Sequence, residues 1–150
     1  DIILMYYPCK DEVDIKSVIV QALSEGKKVA LPKCRKEDRS MQFHFINSLD
    51  GLNQNGAFGM SEPPDTLPAY DPELDSRPAV CVIPAIVYDK EGFRIGYGKG
   101  FYDRYLPSFS GTKIGIAYND FIIDKVPRGK YDLSADVLIT EKGITAINTK

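Results

Sequence analysis

The sequence predicts an α/β fold: a mostly parallel central sheet flanked by helices. Three observations carry the expectation. The first 32 residues read strand, helix, strand, the usual signature of a parallel sheet covered by helices. Ala79-Val80-Cys81-Val82-Ile83 is an unbroken apolar run, as expected of a strand buried on both faces. Further strand-like runs follow at 113–118 and 137–140.

Taken in order, residues 1–7 are apolar and aromatic-rich and read as a strand. From Glu12 to Glu25, the positions Val13, Ile15, Val18, Ile19, Ala22 and Leu23 recur at helical spacing, and Gly26 is a fitting stop. Lys28 to Pro32 is a short buried strand that the proline should end. Arg35 to Arg39 is a charged turn, and Met41 to Ile46 alternates as a half-exposed strand. Residues 50–78, rich in Gly, Pro and Asp, form the longest irregular stretch, a length uncommon without a task. After the strand 79–83, Phe101 to Leu106 should make a turn or two of helix stopped by Pro107. The strand 113–118, a loop from Val126 to Ser134 and the strand 137–140 follow, with Gly143 to Asn148 as a hairpin partner.

A chain of 150 residues suits one domain, 1–150, with a single core. Its 43% apolar and 27% charged residues are those of an ordinary globular protein. A net charge of −2 gives no global electrostatic case for nucleic acid. No apolar run approaches the ~20 residues that cross a bilayer, and the opening residues lack a signal peptide's basic start and cleavage site. The chain does not begin with Met, and the expectation is that an N-terminal piece precedes this numbering. Cys9, Cys34 and Cys81 match no zinc spacing and fit a reduced, cytoplasmic setting, with Cys81 as inert core. His44 is the sole histidine and has no neighbouring His or Cys in sequence, which disfavours a zinc centre and a Cys-His nucleophile pair.

Arg94-Ile95-Gly96-Tyr97-Gly98-Lys99-Gly100-Phe101-Tyr102-Asp103-Arg104 is the stretch that carries chemistry. Glycines at alternate positions let backbone N–H groups approach an anion closely, because no Cβ intervenes. Lys99 adds a mobile positive charge, and Asp103 offers a hard oxygen ligand for Mg²⁺. The plain alternative is a glycine-rich turn with no ligand. The spacing is neither GxxxxGK[ST] nor GxGxxG, so it is not a Walker A loop or a dinucleotide fingerprint.

Val82-Ile83-Pro84-Ala85 through Asp89, Gly92 and the stretch 94–106 closely resembles the signature of 5-formyltetrahydrofolate cyclo-ligases. Glu12-Val13-Asp14, Gly26-Lys27, Met41-Gln42-Phe43, Phe58 to Pro63 and the closing Tyr131-Asp132 to Glu141 continue the likeness in the family's order. The resemblance implies an α/β sandwich akin to phosphosugar isomerases and CoA transferases. It implies a cytoplasmic, monomeric ligase of one-carbon metabolism that converts ATP and 5-formyltetrahydrofolate, with Mg²⁺, to 5,10-methenyltetrahydrofolate, ADP and phosphate. Nucleic acid and membrane are not implied as partners.

Residue by residue, the resemblance implies that Arg94, Ile95, Gly96, Tyr97, Gly98, Lys99, Gly100, Phe101 and Tyr102 bind ATP. Lys99 and Arg94 are the implied catalytic cations. Tyr7, Glu12, Tyr97, Gly98, Lys99, Gly100 and Phe101 are implied to touch the folate, and Asp103 and Asp136 to hold the metal. On the residues alone, Glu12 reads first as a helix N-terminal carboxylate, while Tyr7 reads also as a core aromatic and Asp136 as a strand-edge polar residue. Glu62 reads as a structural loop carboxylate. Three departures stand out. The family's basic first helix has no counterpart here, Tyr131 stands where a His is common, and Phe101 stands where a Tyr is common. Two other readings remain open: a non-catalytic relative that binds folate or nucleotide, and a sugar-phosphate isomerase or CoA-transferase-like enzyme.

Overall fold

The computed structural model of the chain describes residues 1–9, 12–54, 61–96, 100–127 and 133–147. An eight-stranded sheet forms its backbone, in the order β11-β10-β8-β5-β1-β2-β3-β4. The parallel centre is β10 (Val137–Thr140), β8 (Thr112–Ile116), β5 (Ala79–Ile83), β1 (Ile2–Leu4) and β2 (Lys28–Cys34). Antiparallel strands close both sides: β3 (Met41–Ile46) and β4 (Ala69–Tyr70) beyond β2, and β11 (Gly143–Ala146) beyond β10. The expected α/β architecture with a mostly parallel sheet is the one observed.

Two helices cover opposite faces. The helix α1 (Lys16–Ser24) follows β1 and turns Ile15, Ile19 and Ala22 onto Met5, Val29, Leu31 and Val82. It starts later than the apolar spacing predicts, because Asp14 Oδ1 accepts the Lys16 N–H at 2.9 Å and ends the preceding turn. The short helix α2 (Phe101–Tyr105), continued by a 3-10 turn over Leu106–Ser108, lies on the other face. Phe101, Tyr105, Leu106 and Phe109 pack there with Leu4, Ala30, Phe43, Cys81 and Ile83. The Phe43 and Tyr105 rings sit 5.0 Å apart. Pro107 does not stop the helix outright but rides in the 3-10 turn.

A second, three-stranded sheet lies outside the sequence expectation: β7 (Arg94–Ile95), β6 (Val87–Asp89) and β9 (Ile122–Ile123) in that order. Tyr88 anchors it. Its ring is fully buried with Ala117, Ala135 and Leu138, and its hydroxyl donates to the Ile83 carbonyl at 2.7 Å. Asp89, also fully buried, fastens the turn that leads into β7. One of its oxygens accepts the N–H groups of Glu91 and Phe93, at 2.9 and 3.0 Å, and the other accepts that of Val126 at 3.1 Å.

Pro32 does not end β2, which runs on to Cys34. Lys28 donates its N–H toward β1, and by strand alternation Ala30 and Pro32 present their backbone groups to the same side. The β1 ladder has finished by then, its last pair being Leu4 with Ala30, so nothing asks for the missing N–H.

Candidate functional site

Parallel α/β sheets gather ligands beyond the carboxyl ends of their strands. Here those ends lead β1 into the segment holding Tyr7 and Glu12, and β5 by way of the small sheet into the glycine loop. Tyr97, Gly98 and Lys99 lie outside the described residues, as do Tyr131 and Asp132. What the structure defines is the frame around them.

Arg94 and Asp103 stand on either side of that loop. The Arg94 side chain is nine-tenths buried, and its Nη2 donates to Asp103 Oδ1 at 3.2 Å. The same guanidinium lies over the Tyr102 ring, 5.5 Å from its centre. A Cβ at Gly96 would come within 2.6 Å of Arg94 Nη1, so the absent side chain is what lets the guanidinium fold back along its own strand. Gly100 enters α2 at φ 75°, a left-handed conformation that glycine adopts at little cost. Ile95 is exposed.

Glu12 approaches the frame from β1. Its Oε1 accepts the Cys9 N–H at 2.7 Å, while its own N–H donates to the Cys9 carbonyl at 3.1 Å, which closes a tight turn. Burial raises the Glu12 carboxyl above its ordinary value, opposed by the bonds from Cys9. Its charge bears on the Tyr102 hydroxyl. That hydroxyl is buried and has no hydrogen-bond partner among the described residues, and burial, followed by the fields of Cys81, Cys34 and Glu12, pushes it well above the usual phenol range. A buried donor without a partner costs free energy, about 1–3 kcal/mol, unless something else satisfies it.

Other expected residues fare differently. The Phe101 ring is buried in the core beneath α2, so only its backbone is left for a ligand. Tyr7 packs on the α1 side, with the Lys16 ammonium 5.9 Å from its ring centre. Asp136, expected at a metal, is buried at the head of β10. Its Oδ2 accepts the Lys113 N–H at 2.8 Å and lies 3.8 Å from the Lys113 ammonium. Asp136 and Asp103 each stand beside a cation, 3.8 Å from Lys113 and 3.2 Å from Arg94, which a bound divalent ion would have to displace. Asp103 is the more exposed of the two, a hard, half-exposed carboxylate beside the loop. Among the described residues no group of three or more His, Cys, Asp or Glu side chains is gathered to hold an ion. Magnesium needs no such group, since one or two carboxylates with phosphates and waters suffice.

His44, Glu62 and the buried cysteines are structural. His44 Nδ1 lies 2.8 Å from the Leu67 carbonyl oxygen, and Glu62 Oε2 accepts the Cys34 N–H at 2.8 Å. Burial pushes the Cys34 and Cys81 thiols up to about 12. Lys113 is a buried cation that sequence reasoning did not single out. It reads as the polar lead-in to an apolar strand, and only the β5–β8 register, Cys81 beside Lys113, turns it toward the α2 face. No helix among the described residues is long and apolar enough to cross a membrane.

Comparison with known proteins agrees with the frame. Residues 1–141 match the 5-formyltetrahydrofolate cyclo-ligase family. The 5-formyltetrahydrofolate cyclo-ligase of Mycolicibacterium smegmatis is 30% identical over 148 residues, covering 95% of this chain and 75% of that one. The solution structure of the Aquifex aeolicus 5,10-methenyltetrahydrofolate synthetase superposes with a TM-score of 0.80 at 33% identity, over 99% of this chain and 72% of the other. The Mycoplasma pneumoniae 5,10-methenyltetrahydrofolate synthetase shares the fold, with a TM-score of 0.67 at 23% identity over 92% of this chain and 71% of that one. With every strand of its sheet but β11 and the frame of its glycine loop inside the family match, the chain belongs to the 5-formyltetrahydrofolate cyclo-ligase family, a family of ligases.

Proposed function

We propose that the chain uses ATP to close 5-formyltetrahydrofolate to 5,10-methenyltetrahydrofolate. The formyl oxygen is a poor leaving group, so it attacks the γ-phosphorus first and ADP departs. The folate's N10 amine then attacks the activated formyl carbon and loses its proton. Phosphate leaves with the former formyl oxygen, and the ring is closed. Positioning and charge neutralisation are most of what such a reaction asks of the protein.

The observation that carries this reading is the Arg94 clamp. A buried guanidinium bonded to Asp103 and stacked on Tyr102 holds both ends of a loop that contains Lys99. Arg94 neutralises phosphate charge from one end, and Lys99 follows the transferred group as a point charge. Gly96, Gly98 and Gly100 offer backbone N–H groups to phosphate oxygens. Glu12 accepts the paired donors of the pterin's amino-pyrimidine edge, with Tyr7 at the same strand end. Asp103 would help hold a magnesium ion, which when bound would supply positive charge to offset that of the phosphates. The same reading takes the protein as a cytoplasmic monomer acting on two small molecules.

The test follows absorbance of the methenyl product with ATP, Mg²⁺ and 5-formyltetrahydrofolate. Turnover should be ATP-dependent, and Lys99→Ala should lower it by about 10²–10³-fold with the thermal midpoint unchanged, in line with loss of one electrostatic contact to a transition state. An unchanged rate removes Lys99 from the mechanism, and no turnover in the unaltered protein rejects the activity.

A further inference from the structure

We propose that Lys113 is a second cation of the nucleotide subsite, set on the floor of the sheet to meet the phosphate chain opposite Arg94. The inference rests on the nucleotide reading above and adds to it a residue from outside the glycine loop.

Lys113 lies on β8 in register with Cys81 of β5, whose side chain belongs to the core beneath α2. Its side chain keeps only 14% of its surface, and that of Arg94 only 9%. The register sets Lys113 on the face of the sheet that α2 covers, and α2 carries Tyr102, over whose ring the Arg94 guanidinium lies at 5.5 Å. The Tyr102 hydroxyl, on that helix, is buried and has no hydrogen-bond partner among the described residues. Buried cations are costly unless fully paired, and this one is not. Its nearest carboxylate oxygen, on Asp136, is 3.8 Å away, beyond hydrogen-bond reach, while that oxygen already accepts the Lys113 backbone N–H at 2.8 Å. An ammonium has three donors, and among the described residues none of them meets an acceptor.

Arg94, Lys113 and Tyr102 therefore lie on one face of the sheet, with Asp103 and Asp136 as counter-charges 3.2 and 3.8 Å from the two cations. A ligand that suits this arrangement has several anionic oxygens in series, which is the chemistry of a phosphate chain. Asp136 is then a positioning residue. By holding the Lys113 backbone it fixes where the ammonium emerges from the strand.

The experiment compares Lys113→Met, which keeps the length of the stem, and Lys113→Arg with the unaltered protein. Titration calorimetry reads Mg-ADP, tripolyphosphate and 5-formyltetrahydrofolate separately, and thermal unfolding is read alongside. The expected result is at least a tenfold weaker Kd for Mg-ADP and tripolyphosphate in Lys113→Met, a folate Kd within twofold, and recovery of most of the loss in Lys113→Arg. If Lys113→Met does not fold, Lys113→Gln takes its place under the same criteria. Unchanged phosphate-ligand affinity overturns the proposal. So does equal weakening of phosphate ligands and folate with a lowered thermal midpoint that arginine fails to restore, since that is the signature of an ion pair serving the fold alone. Failure of the unaltered protein to bind Mg-ADP would instead overturn the nucleotide reading on which this one stands.

Discussion

Replacing Asp89 with asparagine should unfasten the small sheet that carries Arg94. The carboxylate is fully buried and accepts three backbone N–H groups, from Glu91 and Phe93 on one oxygen and from Val126 on the other. An asparagine can keep its oxygen toward the Glu91 and Phe93 pair, but its NH₂ then faces the Val126 N–H, donor against donor. One buried donor is orphaned at about 1–3 kcal/mol, and the two remaining bonds lose charge assistance worth about 1 kcal/mol each. The sum is roughly 3–5 kcal/mol, which in a chain of this length lowers the midpoint by about 6–20 °C. Differential scanning calorimetry at neutral pH reads it directly. Activity at a temperature where the variant is folded should fall as well, because Arg94 lies directly beyond the turn that Asp89 fastens. A midpoint within about 2 °C of the unaltered protein would refute the reasoning, since the three bonds could then not be holding the turn.

Two further outcomes follow from particular atoms. Gly92→Ala should destabilise by about 2–3 kcal/mol, from left-handed strain and a close approach to backbone. Its φ is 86° and a Cβ there would lie 2.7 Å from the Ala135 carbonyl oxygen, so an unshifted urea midpoint would show that the turn can relax away. The Glu12 carboxyl is raised above its ordinary value of 4.5, first by burial, so its ionised form is the one the fold disfavours. Its contribution to stability is therefore fully present below that ordinary value and is lost as pH rises through the raised one. Folate binding has the opposite sign, because the pterin edge donates to the ionised form. Affinity for 5-formyltetrahydrofolate should drop as pH falls through the raised pKa, and Glu12→Gln should be weak and flat across that range; matching profiles in calorimetric titrations would remove Glu12 from the site.

Much of the architecture was legible because its signals are long. The nine-residue helix α1 shows helical spacing, and β5 is five apolar residues in a row. The small sheet was not, since β7 and β9 have two residues each and β6 has three, too few for alternation to register. The β6 to β9 pairing of Tyr88 with Ile122 is also made far along the chain. Pro32 misled for a different reason: a proline ends a strand only where a neighbour needs its N–H, and sequence does not report where β1 stops. In the site, the glycines, Arg94 and Asp103 announced themselves by local density. Asp136 and Lys113 did not, because their relation is made by the β8–β10 register and by burial. Phe101 was named for a ligand, but its ring is part of the core, a division between side chain and backbone that a motif does not reveal.

The placement of β1 bears on how the molecule assembles. This three-residue strand is sandwiched between β2 and β5, with Ile2 beside both Lys28 and Ala79. The middle of the sheet therefore waits for a segment synthesised far downstream, and the loop entropy of that meeting must be met before its contacts give anything back. The helix α1 rests largely on nearby chain, Met5, Val29 and Leu31, and meets β5 only through Val82. The β1–β5 pairing is thus a contact of long sequence separation, the kind that slows folding.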